Sequence, residues 1–211
     1  MIKKIEKIKR KINVFISQRM GKINFNFSEK KKRWQLINEI INKKNYKSYL
    51  EIGCFNNDCF SKINIEKKTG VDPIKGGNIR KTSDDFFLDN KENFDIIFID
   101  GLHTYQQVKK DIKNSIKSLN PGGTIICHDS LPTEYSEQTV PFSQGVWVGD
   151  VWKAIVEFRT YQELDVCTCD IDHGLGIIKV RKNTNQLNLI KKNYKNLTYS
   201  FYFENYLKIM N

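Results

Sequence analysis

The chain has little histidine, three residues in 211, and no apolar run near the roughly 18 residues that a membrane-spanning helix needs. Its N-terminus lacks the continuous apolar stretch and small-residue cleavage site of a secretory signal, so a cytoplasmic location is expected. Cysteine is odd in number, at five, which suits a reducing compartment better than a disulfide framework. No cysteine pair stands at zinc-site spacing from a second pair. Cys54, Cys59, Cys127, Cys167 and Cys169 are therefore expected to be small buried hydrophobes. The glycine fingerprint G-x-G-x-x-G is also missing, because Phe55 and Asn56 stand where its glycines would be. A pyrophosphate would lack its cradle of backbone amides, which disfavours an NAD-dependent enzyme. A cofactor without phosphates would lose nothing.

What is present supports a folded core. Hydrophobic residues make up 39% and aromatics 12%, too much for a disordered chain and enough for one domain. The net charge of +11 is unevenly placed. Residues 1–33 hold twelve Lys and Arg against Glu6 and Glu29, a local +10, which leaves +1 for the rest. A nucleic-acid-binding domain would spread its cations over the folded surface, so nucleic acid is disfavoured as a partner. An AT-rich coding bias toward Lys, Asn and Ile would account for part of the excess.

Ile5, Ile8, Ile12, Phe15 and Ile16 recur at helical spacing among lysines, which predicts a basic amphipathic helix over 2–18. Ser28 is placed to cap a second helix that buries Trp34, Leu36, Ile37, Ile40 and Ile41. Strands are then expected at 49–52, 68–72, 79–82, 94–99 and 124–127, with helices near 58–63, 83–87, 105–119 and 150–161 between and after them. A β-hairpin at 164–169 and 176–180 follows. The loop of about 20 residues after Cys127 is long enough for a lid. Strands separated by helices imply a doubly wound, mostly parallel sheet with helices on both faces. The expected organisation is a basic helical extension (1–44), a core (45–182) and a helical tail packing on the core (183–211).

The most informative run is Phe94-Asp95-Ile96-Ile97-Phe98-Ile99-Asp100-Gly101-Leu102-His103. An apolar strand ends in a carboxylate, a glycine and an imidazole. The next strand, Thr124–Cys127, leads to His128-Asp129. In an open α/β sheet, ligands sit at the carboxyl ends of the strands. Both pairs therefore belong at a site mouth. Asp and His also cap helices and turns, and that is the alternative role for His103 and Asp129. At the other end of the site, Gly53 after strand one permits a tight turn and close backbone approach to a ligand. Asp72, ending strand two, is placed to accept ribose hydroxyls. Trp147 and Trp152 flank the long loop, either as sugar-stacking faces or as core.

With Glu51-Ile52-Gly53, Gly70-Val71-Asp72-Pro73, Phe94–Gly101, Asn120-Pro121-Gly122-Gly123 and the final hairpin in view, the chain resembles a class I S-adenosylmethionine-dependent methyltransferase over about residues 47–181. It is similar to small-molecule and sugar O-methyltransferases with a catechol-O-methyltransferase-like site. The resemblance implies a Rossmann-like, seven-stranded sheet with an antiparallel last strand. It implies that Glu51, Gly53 and the backbone of Cys54, Phe55 and Asn56 meet the methionine part of S-adenosyl-L-methionine. Asp72 would hold the ribose, and Ser83 and Asp84 the adenine. Asp100 would border the cofactor and, with Asp129, match the carboxylates that hold Mg2+ in metal-dependent members. His103 matches the general base, usually a lysine. Ser130 replaces a metal-binding asparagine, and His128 has no counterpart in the family, which leaves it as a ligand, a second base or a support. Asn57 stands where the family keeps a glycine, and Asn tolerates positive φ.

The expected reaction is methylation of a hydroxyl on a small molecule or sugar, with polysaccharide or glycolipid precursors included. The rival readings are a non-catalytic nucleoside-cofactor-binding protein and a nucleic-acid methyltransferase. Against the last, no Asn-Pro-Pro-aromatic motif is present. The basic N-terminal helix is expected to serve as a contact to a second subunit or to a membrane surface.

Overall fold

A computed structural model describes residues 2–189 and 193–210. Met1 of the expected extension and residues 190–192 and 211 of the expected tail lie outside the described residues. The chain opens with α1 (Ile2–Ser17) and α2 (Arg33–Lys44). The core then runs β1 (Ser48–Ile52), β2 (Lys67–Val71), α3 (Ser83–Asp89), β3 (Phe94–Ile99), α4 (Tyr105–Lys117), β4 (Leu119–Cys127), α5 (Val151–Phe158), β5 (Leu164–Cys169) and β6 (Leu175–Val180), and α6 (Tyr199–Met210) follows. Among the described residues no helix is long and apolar enough to cross a membrane.

The sheet order is β2-β1-β3-β4-β6-β5. The first four strands are parallel, and β6 runs antiparallel to both β4 and β5. This is the α/β Rossmann-like class expected, with the antiparallel last strand, but among the described residues the sheet has six strands where seven are expected. The segment expected as a third strand contributes a single bridge, Val71 to Ile79. Arg80 reaches back to the carbonyls of Asp72 and Gly76, and the chain then enters α3 through Thr82, whose Oγ1 accepts from Asp85 N–H at 3.1 Å and caps the helix. No length remains for a strand.

Strand periodicity sorts the core. Ile97 and Ile99 face α4 and α5, meeting Val108, Ile112, Val151, Ile155 and Phe158. Ile96 and Phe98, one residue out of phase, face α2 through Ile37 and Ile41. The helix expected at 58–63 is one 3-10 turn, Phe60–Lys62. Lys68 Nζ donates to the carbonyls of Phe60 and Ile63 at 3.0 and 3.1 Å, supplying the partners that a longer helix would have supplied. Helix α2 begins at Arg33, later than a Ser28 cap implies, with Lys32 N–H bonded to Gln35 Oε1 at 2.8 Å. A third apolar cluster joins α6 to α5 around the fully buried Trp152, with Tyr199, Tyr202 and Ile23. Trp152 is thus core and no lid residue. Cys54, Cys59 and Cys127 are buried as expected, whereas Cys167 is exposed and Cys169 partly so. Both lie on the face of β5 opposite Leu164, Val166 and Thr168, where Cys169 packs against the α2-side cluster and Cys167 stays open.

One buried acid makes the fold sensitive to pH. Asp111 on α4 is buried, and that burial pushes its carboxyl up to about 6 against the hydrogen bond from Gln107. Below the unfolded value the group is neutral in both states, and its contribution is fully present. As pH rises through 6 the folded state must bury a charge, and stability is lost. Asp111→Asn should therefore gain stability relative to wild type between pH 4 and pH 8, by about 2–3 kcal/mol. Urea melts at the two pH values measure this, and an unchanged difference between the variants counts against it.

Candidate active site

The site begins with a turn that only glycine can make. Gly53 leaves β1 at φ +88°, and a Cβ there would lie 2.2 Å from the Asp100 carbonyl oxygen. Gly53 N–H donates to Val71 O and Asp100 N–H to Ile52 O, both at 2.8 Å, so the loop is stitched to both neighbouring strands. Asn57 takes φ +63° in place of the family's glycine, and its Oδ1 accepts from Gly77 N–H at 2.7 Å. Phe55 is also left-handed, at φ +42°, an uncommon conformation for an aromatic residue. Its exposed ring lies under Lys75 Nζ at 4.1 Å.

A cleft of about 850 Å3 opens at these strand ends. Glu51, Gly53, Cys54, Phe55 and Asn56 form one wall. Asp72, Ser83 and Asp84 form another, and Asp100 and His103 close the mouth with Trp147. The residues expected to bind cofactor thus converge on one cavity. Asp72 accepts from Phe55 N–H at 2.9 Å, Ile74 N–H at 2.8 Å and Lys75 N–H at 3.0 Å. These bonds outweigh burial and lower its pKa, and they leave room for a further donor. Gln107 Nε2 ties Ser83 Oγ and Asp84 Oδ1 at 3.1 Å each. Glu51 is buried, hydrogen-bonded by Tyr49 Oη, and pushed up to about 7 by desolvation.

Below the mouth lies an ionic cluster. His128 Nδ1 is 3.0 Å from Asp100 Oδ1 and 3.3 Å from Asp129 Oδ1. His103 places Nε2 3.4 Å from Asp100 Oδ1 and Nδ1 3.1 Å from Asp129 Oδ2. Burial opposes charge on both rings, but the carboxylates prevail: His103 is raised and His128 raised well above the ordinary histidine range. Burial works against the Asp100 carboxylate too, but the His128 charge and the two histidine bonds hold it well below the usual range. His128 is buried and does not line the cleft, whereas His103 does. Asp129 sits at φ +57°. Ser130 Oγ turns back to the Cys127 carbonyl at 3.2 Å, so it offers nothing to the cluster.

Two members of the cluster escape a sequence reading. Arg33, the first residue of α2, lies with Nε 3.7 Å from Asp100 Oδ2 and Nη1 3.4 Å from His128 Nε2. Its Nη1 and its backbone N–H each meet Asp172 Oδ2 at 3.0 Å. Asp172 belongs to the turn between β5 and β6, where it reads as a turn former. No local pattern marks either residue. His103 is held from behind by the segment before α5. A Cβ on Gly149 would fall 1.7 Å from the His103 carbonyl oxygen, and Trp147 stacks on the imidazole with ring centroids 5.3 Å apart.

A family model described as a methyltransferase domain matches residues 48–130. The chain has the class I methyltransferase fold. A curated relative, uncharacterized protein R132 of Acanthamoeba polyphaga mimivirus, is 30% identical over 124 residues, 44% of this chain. The chain spans only 56% of that relative's length. Among solved structures, the chain resembles the O-methyltransferase from Bacillus cereus in complex with S-adenosylhomocysteine (SAH), with TM-score 0.52, 12% identity, and 83% of this chain and 90% of that one covered. It also resembles TomG from Streptomyces achromogenes, an O-methyltransferase of tomaymycin synthesis in complex with S-adenosylmethionine, with TM-score 0.53, 12% identity, and 81% and 96% covered. At such identities the likeness is one of fold.

The Gly53 turn can be tested directly. Gly53→Ala should destabilise the protein by about 2–4 kcal/mol, from a forced backbone clash together with a left-handed side chain. Gly101→Ala, whose Cβ would meet nothing closer than 3.4 Å, should cost far less. Equal denaturation midpoints for the two variants would contradict the close approach.

Proposed function

We propose that the protein is an S-adenosylmethionine-dependent methyltransferase that methylates a hydroxyl on a small molecule or sugar, polysaccharide or glycolipid precursors included. The observation that carries this is a single cleft in which a side-chain-free Gly53 wall, a buried Asp72 carboxylate and the His103 imidazole face one another. The cavity has no phosphate-binding glycine loop, which suits a cofactor without phosphates. The bound S-adenosyl ligands of the two O-methyltransferases of like fold support the same choice.

When bound, S-adenosylmethionine supplies a methyl group on a cationic sulfur, activated for in-line displacement. The task left to this chain is to place the acceptor oxygen and to take its proton. Gly53 and the Cys54–Asn56 backbone would border the methionine part, Asp72 would accept from the ribose hydroxyls, and Ser83 and Asp84 would stand at the adenine end. His103 Nδ1 faces Asp129, which lies off the cleft, and Nε2 faces Asp100, which lines it. Asp129 and the Trp147 carbonyl, 3.2 Å from Nδ1, would keep the Nδ1 proton in place. Nε2 would accept the hydroxyl proton in the neutral ring, whose share rises with pH through a His103 pKa that the carboxylates raise against burial. His128 and Arg33 neutralise Asp100, so that carboxylate need not take the proton itself.

A metal-assisted reading rests on a different observation. Asp100, His103 and Asp129 each offer one ligand atom, all within 4.8 Å of one another. Asp100 and Asp129 would supply the hard oxygen ligands that suit Mg2+, and His103 a softer nitrogen, and a cation held there would acidify and orient the hydroxyl. His103 would then be a ligand and not the base.

Calorimetry with SAH should show binding, weakened by about 1–3 kcal/mol in Asp72→Ala. Unchanged affinity would remove Asp72 from the ribose site. With a labelled methyl donor and a panel of sugar and phenolic acceptors, His103→Ala should lower turnover by roughly 10²–10⁴ at nearly unchanged SAH affinity. EDTA separates the two readings: loss of activity restored by Mg2+ favours the metal, and full activity in EDTA favours His103 as base. Binding of SAH with no methyl transfer to any acceptor, and none to RNA or DNA, would favour a non-catalytic cofactor-binding protein.

A further inference from the structure

Helix α1 turns its apolar side away from the protein. Its polar residues face the domain: Tyr135 Oη donates to Asn13 Oδ1 at 3.4 Å, and Ser136 N–H donates to Ser17 Oγ at 3.3 Å. Ile5, Ile8, Ile12 and Phe15 are 47%, 50%, 51% and 54% exposed. A surface helix of a globular domain ordinarily buries such a stripe against the core. Here four large apolar side chains, spaced by three, four and three residues, form a continuous stripe that stays about half exposed along its length.

The surroundings of the stripe say what it fits. On a 3.6-residue turn, Lys9 and Lys11 fall on its opposite flanks, and both are exposed. Arg19 lies over the Phe15 ring at 4.1 Å and adds a cation at its C-terminal end. Residues 2–19, the helix and the two residues after it, hold seven Lys and Arg against Glu6 alone, a local +6. An apolar stripe between cationic flanks matches the boundary of an anionic bilayer, where alkyl groups sink among the acyl chains and lysine ammoniums stay at the headgroups. Pairing with the same helix of a second copy would bring cationic flank against cationic flank, which the charge opposes. We propose that α1 docks the protein peripherally on an anionic lipid surface.

The test is co-sedimentation of the 211-residue chain with vesicles of phosphatidylcholine alone or mixed with phosphatidylglycerol. Wild type should sediment with the mixed vesicles at low salt, and with neither at high salt. Ile8→Asp/Ile12→Asp should lose this binding by tenfold or more. Lys9→Gln and Lys11→Gln should each weaken it about fivefold. All four changes lie on exposed positions, and an unaltered melting curve verifies the fold. Failure of wild type to bind at low salt, equal binding to neutral vesicles, or undiminished binding by Ile8→Asp/Ile12→Asp would each overturn the proposal. So would a dimer seen by light scattering that Ile8→Asp/Ile12→Asp dissolves without any vesicle binding, because the stripe would then belong to a second copy.

Discussion

The partly buried charge of Asp100, which lines the cleft, constrains every element around the site. A carboxylate at the end of β3 cannot remain ionised in the interior unless cations and donors meet it there. His128 comes from the end of the neighbouring strand, and His103 from the loop that follows Asp100 itself. Arg33 comes from an element that precedes the whole sheet. Its delivery needs α2 seated on the sheet by Ile37 and Ile41. Arg33 in turn is held by Asp172, which reaches the cluster only because β6 pairs with β4. Three carboxylates, two imidazoles and one guanidinium thus join α2, β3, β4 and the terminal hairpin. The burial of the sheet faces and the balance of charge at its end depend on each other.

The same edge of the sheet carries much of the backbone strain. Gly53, Phe55, Asn57, Asp129, Asp172 and His173 all have positive φ and all lie beyond strand ends on that side. Residues in such conformations cost free energy and persist where surrounding contacts fix them. Those contacts set Gly53 against the Asp100 backbone, bond Asn57 to Gly77 and bond Asp172 to Arg33. A cleft is left between loops that are each anchored to a neighbouring strand. That suits a reaction whose main demand is position, since two reactants held in line need no large rearrangement of the protein.

Much of this could be read along the chain, and the limits have a common cause. The buried strands announced themselves by short apolar runs, Phe94–Ile99 above all, and the residues after them fell at the strand ends because a strand's direction carries its last side chains to one edge. The Gly53 turn, the Asp72 carboxylate and the Asp100–His103 and His128–Asp129 pairs were legible for that reason: each is defined within a few residues of its own strand. The division of labour between the two histidines was not. Both follow an apolar strand, and only the packed loops show that His103 faces the cleft while His128 lies beneath it.

Local pattern by itself therefore determined the order of elements, the parallel character of the sheet and which strand ends carry chemistry, because periodicity and turn residues act over one or two turns of chain. Tertiary structure decided what depends on distant partners. It reduced the third strand to one bridge, since Arg80 and Thr82 found better partners in Asp72 and in α3. It shortened the helix after β1 to one turn, since Lys68 satisfied the free carbonyls. It left Cys167 exposed, since the apolar cluster on that face of the sheet takes in Cys169 but not Cys167. It brought Arg33 and Asp172, 139 positions apart, into one hydrogen-bonded pair. A contact across such a separation depends on the whole fold being closed, and no residue near either partner encodes it.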